Sequence, residues 1–378
     1  MPIRPTSVTE RIALLSAQAV ALEPWLGKFT AMDLTDWISD QLGDAHALDR
    51  WIPRGGIRSR AVALSPVLHI ISGNTPHPGF QSLFRGLLLG GHQRVKLPSA
   101  GLPALEDWIA NLPTKLASRV EISRALPVAW RDSPVAVIFG DGATLAFFRD
   151  WCPPETHRIE HGPKISAAIL FAEPDAATLD ALAGDILRHD QRGCLSVQNV
   201  IVDAGTIDAR AFAAALASAL DRARDTFPRP EPTLSDAGGI RNFREILRYR
   251  AANDGSVALW ESANSTSWTV VLDATGNPPL LTPTPGGGTV VVRAFNARGR
   301  DIQSCPRQPL TPEMLGPELE FLSTIVAHPF DDPESIRRLA RLAPPRICAP
   351  GMAQFPGLFW SHDGTRPLAG LVRWRDLG

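Results

Sequence analysis

Lysine is nearly absent from this chain: only Lys28, Lys96, Lys115 and Lys164 occur, and arginine supplies the rest of the positive charge. That scarcity makes each lysine informative. Cysteine is equally sparse, with Cys152, Cys194, Cys305 and Cys348 far apart and no C-x-x-C pair. This spacing excludes a zinc ribbon and a dense disulfide framework. No apolar run approaches ~18 uninterrupted residues, so a membrane-spanning helix is excluded. The opening MPIRPTSVTERIALL lacks the basic-then-apolar order of a secretory signal. The expectation is a cytoplasmic protein with reduced thiols. Net charge is also missing: 38 basic and 39 acidic residues leave −1. A chain without a global field is a poor partner for nucleic acid.

What is present is an ordinary globular mixture, 44% hydrophobic and 20% charged over 378 residues. At roughly 100–200 residues per domain, that length suggests two or three domains. Residues 6–50 have apolar positions at helical spacing behind the cap candidates Thr6 and Ser7. From residue 61, strand-like runs alternate with helical ones. AVALSPVLHIISG, QRVKLPS, PVAVIFGDG and ISAAILF read as strands, and FQSLFRGLLLGG, PALEDWIANLP, ATLAFFRDW and PDAATLDALAGDILRHD as helices. The alternation predicts a parallel sheet covered on both faces. A second unit is expected from about Gly193, with a strand at NVIVD, a long helix over 208–227 and a hairpin over 258–273. TGNPPLLTPTPGGG reads as loop.

Several constellations have chemical potential. Cys194 sits in DQRGCLSVQNVIVD, after a helix and a glycine and before a strand. A thiol on such a turn can be exposed and act as a nucleophile, although a lone cysteine is more commonly a small buried hydrophobe. Gly140 and Gly142 form a Gly-x-Gly turn between a strand and a helix, which suits a phosphate or is simply a βα turn. HRIEH matches the inverted zincin pattern through His157, Glu160 and His161. Boxed in by Pro153-Pro154 and Gly162-Pro163, it is too short to form the helix a metal needs, so no metal site is expected. Asn74 precedes an apolar helix and is either a cap or an amide donor to an oxyanion. Lys96 is either a solvated surface lysine or a ligand of phosphate or ribose.

In order and spacing these pieces resemble the aldehyde dehydrogenase superfamily. Asn74 follows the first strands, Lys96 the next helix, and a Gly turn opens a helix. Glu160-His161-Gly162-Pro163-Lys164 then stands where that superfamily has E-L-G-G-K, and Cys194 follows Glu160 by 34 residues, the usual interval. Within the superfamily, SGNTPHPGFQSLFRGLLLGGHQRVKLPS, HGPKISAAIL, RGCLSVQ and RICAPGMAQFPGLFWSHDG are similar to the bacterial luminescence-type fatty acyl-CoA reductases, the LuxC family. Two departures stand out. No E-x-F-G-P motif is visible near 290–310, and His161 and Pro163 replace the leucine and second glycine of E-L-G-G-K. Residues 205–320 have no motif that can be transferred.

The resemblance implies an aldehyde-dehydrogenase-like α/β fold. A Rossmann-like NAD(P)-binding domain would span 1–190, with the tail 346–378 returning to it or to an oligomer interface. A second α/β catalytic domain would span 191–345, with Cys194 in the cleft between them. The implied activity is reduction of an acyl thioester, on CoA or a carrier, to an aldehyde through a Cys194 thioacyl-enzyme. Asn74 would be the oxyanion donor, and Glu160 would occupy the position of the base. An active base there would hydrolyse the acyl-enzyme, so its degraded surroundings fit a reductase better than an oxidising dehydrogenase. Lys96 and Ser99 would read the adenosine ribose. Many NAD-dependent relatives carry a glutamate where Ser99 stands, so NADPH is expected over NADH. A homo-oligomer and an acyl-transferring partner enzyme are further expectations. The alternatives are an aldehyde-oxidising dehydrogenase, a non-catalytic subunit of an acyl-transfer complex and, through HRIEH, a metallopeptidase.

Overall fold

Short strands separated by capped helices build both halves of the chain. The computed structural model describes residues 6–275, 279–296 and 310–378, so Cys305 lies outside the described residues. The chain divides into two units, Met1–Pro163 with Phe355–Gly378, and Lys164–Gln354.

In the first unit, helices Val8–Ser16, Ala19–Leu26 and Ala31–Leu42 precede the strands. Ser7 caps the first and Thr30 the third, where Asp33 completes a capping box. Strands β1 (Ile52–Arg54) and β2 (Ile57–Ala63) form an antiparallel hairpin. A five-stranded parallel sheet follows: β3 (Val67–Ile70), β4 (Gln93–Lys96), β5 (Val120–Ser123), β6 (Val135–Phe139) and β7 (His157–His161), in the order β5-β4-β3-β6-β7. The chain runs outward from β3 through β4 to β5, then returns to the other side of β3 as β6. Ligands of open parallel sheets bind at the carboxyl ends of the strands where the order reverses, here between β3 and β6.

Helix His77–Leu89 connects β3 to β4 and is apolar nearly all round, so it is buried along almost its whole length. Beneath it, His69 on β3 is fully buried between Ser82 Oγ (2.6 Å from Nδ1) and Gln93 Oε1 (2.8 Å from Nε2). Gln93 fits there because residue 86 is glycine: a Cβ would stand 1.9 Å from Gln93 Oε1. Burial pushes the His69 pKa down to about 4, opposed by its bond to Gln93. A histidine kept neutral in the fold adds stability above its ordinary pKa of about 6.5 and loses it as pH falls toward 4. The loss due to His69 should reach about 2–3 kcal/mol by pH 4.5. Denaturant titrations at pH 7 and pH 4.5 check this: the stability lost between them should be smaller in His69→Asn than in the parent, and an equal loss would contradict it.

The second unit is built on β8 (Ile165–Leu170), β9 (Val197–Asp203), β10 (Val257–Glu261), β11 (Thr269–Asp273), β12 (Thr289–Phe295), β13 (Leu322–His328) and β14 (Arg346–Cys348). Their order is β10-β11-β12-β9-β8-β13-β14. Only the β10–β11 pair is antiparallel, as the hairpin reading expects. β8, a run of buried Ile, Ala and Leu, lies inside this sheet between β9 and β13. Helix Ala176–Leu187 packs on helix Ala209–Ala223. Residues 164–190 therefore go with the second unit, and the division falls after Pro163 rather than after 190. The expected boundary at 345 moves likewise: β14 pairs with β13, and the tail leaves the unit only after Gln354. That tail ends in β15 (Val372–Leu377), antiparallel to β2 in the first unit.

Candidate active site

The first unit has an open crevice of about 720 Å³ at the carboxyl ends of β3, β4 and β6, within the range of small-molecule sites. Its lining includes Asn74, Lys96, Ser99, Gly140 and Asp141. Three sequence motifs far apart in the chain thus meet at the switch point. Lys96 is the last residue of β4 and is half-buried. Ser99 is exposed in the following turn and does not cap the next helix, whose N-cap is Leu102. Asn74 is exposed on the bend after β3, and helix His77–Leu89 starts at Pro76 without a side-chain cap. The cap alternative for Asn74 is therefore not filled. Arg94, which points elsewhere, is ion-paired with Asp132 at 2.5 Å.

Gly140 has a steric reason: a Cβ there would lie 2.4 Å from Thr144 Cγ2. Gly142 opens helix Gly142–Trp151 in free space, with nothing within 4 Å of where a Cβ would stand. Asp141 caps that helix, accepting from the Thr144 N–H at 2.8 Å, and this bond holds its carboxyl below the usual range. A carboxylate at the helix start takes one of the donors a phosphate would use.

HRIEH is β7, a strand and not a helix. Four residues of strand span roughly 13 Å, so His157 and His161 cannot share one ion. Glu160 is clamped by Arg149 (3.0 and 2.5 Å) and approached by Arg158 (3.5 Å). Its hydrogen bonds to Arg149 pull its pKa below the usual carboxylate range, against the effect of burial. His161 bonds Asp363 instead (Nδ1 to Oδ2, 2.7 Å) and stacks on Phe139. His161, His362 and Asp363 have ligating atoms within 4.8 Å of one another. The two imidazoles lie 4.0 Å apart and tilted by only 33°.

In the second unit, Cys194 stands half-buried in the turn before β9. Its carbonyl accepts from Ser166 Oγ at 2.8 Å. The approach to the turn is strained: His189, Asp190 and Gln191 have φ of 58°, 54° and 57°, a left-handed run that costs non-glycine residues. Side-chain bonds hold it. Gln191 is buried, donates to the carbonyls of Val197 (2.7 Å) and Thr289 (2.9 Å), and accepts from the Thr289 N–H (2.9 Å). Asp190 pairs with Arg229 at 2.7 Å and Arg192 at 3.1 Å. Ser196, two residues beyond the cysteine, accepts from Gln354 Nε2 at 2.9 Å. None of these supports is apparent from the motif around Cys194; the polar DQR before the glycine is the only signal in the sequence.

Comparison with known proteins decides the family. A family model described as acyl-CoA reductase (LuxC) matches residues 4–374. The chain belongs to the LuxC acyl-CoA reductase family. It is 25% identical to a long-chain acyl-protein thioester reductase of Photobacterium phosphoreum, over 90% of this chain and 68% of that one. A protein of the same name from Aliivibrio fischeri is 24% identical, over 90% and 70%. Among solved structures, a NAD-dependent benzaldehyde dehydrogenase from Corynebacterium glutamicum aligns with TM-score 0.63 at 14% identity, covering 98% of this chain and 86% of that one. Aldehyde dehydrogenase 21 from Physcomitrella patens aligns with TM-score 0.64 at 11% identity, covering 99% and 86%. The fold is that of the aldehyde dehydrogenases. Membership of the LuxC family makes the protein an oxidoreductase acting on acyl or aldehyde groups and implies a nicotinamide cofactor. Among the described residues, no helix is long and apolar enough to cross a membrane.

Proposed function

We propose that this LuxC-family protein reduces an acyl thioester to the aldehyde, with Cys194 as nucleophile and NADPH as reductant. The observation that carries this reading is the contrast among the described cysteines. Cys152 and Cys348 are 4% and 6% exposed. Burial raises the pKa of both thiols, that of Cys348 to about 12. Such thiols are poor nucleophiles. Of the described cysteines, Cys194 alone stands in a partly accessible turn, and the bonds of Asp190 and Gln191 fix the approach to it.

In the proposed reaction, the Cys194 thiolate adds to the thioester carbonyl. The bond to the donor sulfur breaks, the donor thiolate takes its proton from solvent, and a thioacyl-enzyme remains. The side-chain amide of Asn74 and the backbone N–H of Cys194 are the proposed donors to the oxyanion. Lys96, Ser99 and Gly140 would hold the cofactor in the crevice, and the bound nicotinamide supplies the hydride. The resulting thiohemiacetal collapses to aldehyde and restores the Cys194 thiolate. No step uses water. The ion-paired, low-pKa Glu160 fits this route, since a carboxylate locked by Arg149 is a weak base. The names of the relatives make an acyl group on a protein thiol a candidate donor beside CoA.

Lys96 and Ser99 carry the cofactor preference. A 2′-phosphate placed against them gains a charge-assisted hydrogen bond, worth about 1.5–3 kcal/mol. Lys96→Ala should therefore lower kcat/KM for NADPH by about tenfold or more, and for NADH much less. Kinetics with both cofactors test this, and an equal loss for the two would show that Lys96 does not read the phosphate.

A further inference from the structure

Arg85, on helix His77–Leu89, is 4% exposed, yet among the described residues no carboxylate pairs with it. Its one hydrogen bond among the described residues runs from Nη2 to the Trp360 carbonyl at 3.2 Å, and its buried Nε has no acceptor. Burial pulls its pKa down to about 10, and no acidic neighbour offsets this. The residue lines a cavity of about 340 Å³ whose walls include Val137, Ile159 and Leu371. Two carboxylates reach the same cavity, but each is engaged, Glu160 by Arg149 and Asp363 by His161. A buried guanidinium without a counter-charge is costly to keep, and guanidinium is the side chain best suited to carboxylate or phosphate. The cavity is not the crevice of Lys96 and Ser99; Val137 faces the cavity, and Phe139, further along β6, faces the crevice.

We infer that this cavity binds an amphiphilic anion, with its carboxylate or phosphate head on Arg85 and its apolar body along Val137, Ile159 and Leu371. The inference does not rest on the reductase activity, and the test reads binding directly. Isothermal titration of the full chain with octanoate, inorganic phosphate and 1-octanol should show octanoate binding at one site, phosphate binding more weakly, and octanol not binding. Arg85→Gln should weaken octanoate at least tenfold. Gly370→Val, at the cavity rim with its new Cβ about 3.3 Å from Ile159 Cδ1, leaves Arg85 in place and should weaken octanoate more than phosphate. The inference is overturned if neither anion binds the parent, if octanol binds as well as octanoate, or if both folded variants keep the parental affinity.

Discussion

Replacing Cys194 by alanine is expected to abolish aldehyde formation, a loss of several orders of magnitude in kcat/KM. A covalent nucleophile has no substitute, and oxyanion donors alone cannot cleave the thioester at a comparable rate. Cys152→Ala and Cys348→Ala should retain most of the activity, because both residues are buried core packing. Cys305, outside the described residues, is expected to be dispensable as well. Aldehyde production assayed with an acyl-CoA and NADPH checks all four variants. Near-parental turnover by Cys194→Ala would sink the mechanism.

The second large effect is expected at Asn74. Asn74→Ala should lower kcat by about 10²–10³, the scale for one lost oxyanion donor. Cofactor affinity and melting temperature should stay nearly unchanged. The helix that follows is entered through Pro76 without a side-chain cap, so no cap is removed. A loss seen mainly in cofactor binding would instead make Asn74 part of the nucleotide crevice, whose lining it shares with Lys96.

Much of the fold was legible because the strands announce themselves. VAVIF is a short apolar run between Pro134 and Gly140, ISAAIL a second one just after Gly162-Pro163-Lys164, and both are buried strands. The domain boundary was not legible. ISAAIL follows HRIEH after three residues, and nothing in its composition says which sheet it joins; only its pairing with β9 and β13 does. For the crevice, local order along the chain sufficed: Asn74 and Gly140 follow strands, Lys96 ends one, and parallel strands end on one edge. The Glu160 motif shows the opposite limit. Its partner Arg149 comes from a neighbouring helix, and a one-dimensional motif does not show that ion pair. The left-handed run at His189–Gln191 was equally hidden, since L-residues avoid that conformation and the amide of Gln191 holds it through Thr289, about a hundred residues away.

A Cys194 thioacyl-enzyme is tested most directly by intact-mass analysis of the protein after incubation with a panel of acyl-CoAs and no NADPH. The predicted result is a mass gain of one acyl group, located on Cys194 by peptide mapping, absent in Cys194→Ala and released on adding NADPH. An acyl adduct on another residue, or reduction of the same acyl-CoA with no adduct under any condition, would contradict it.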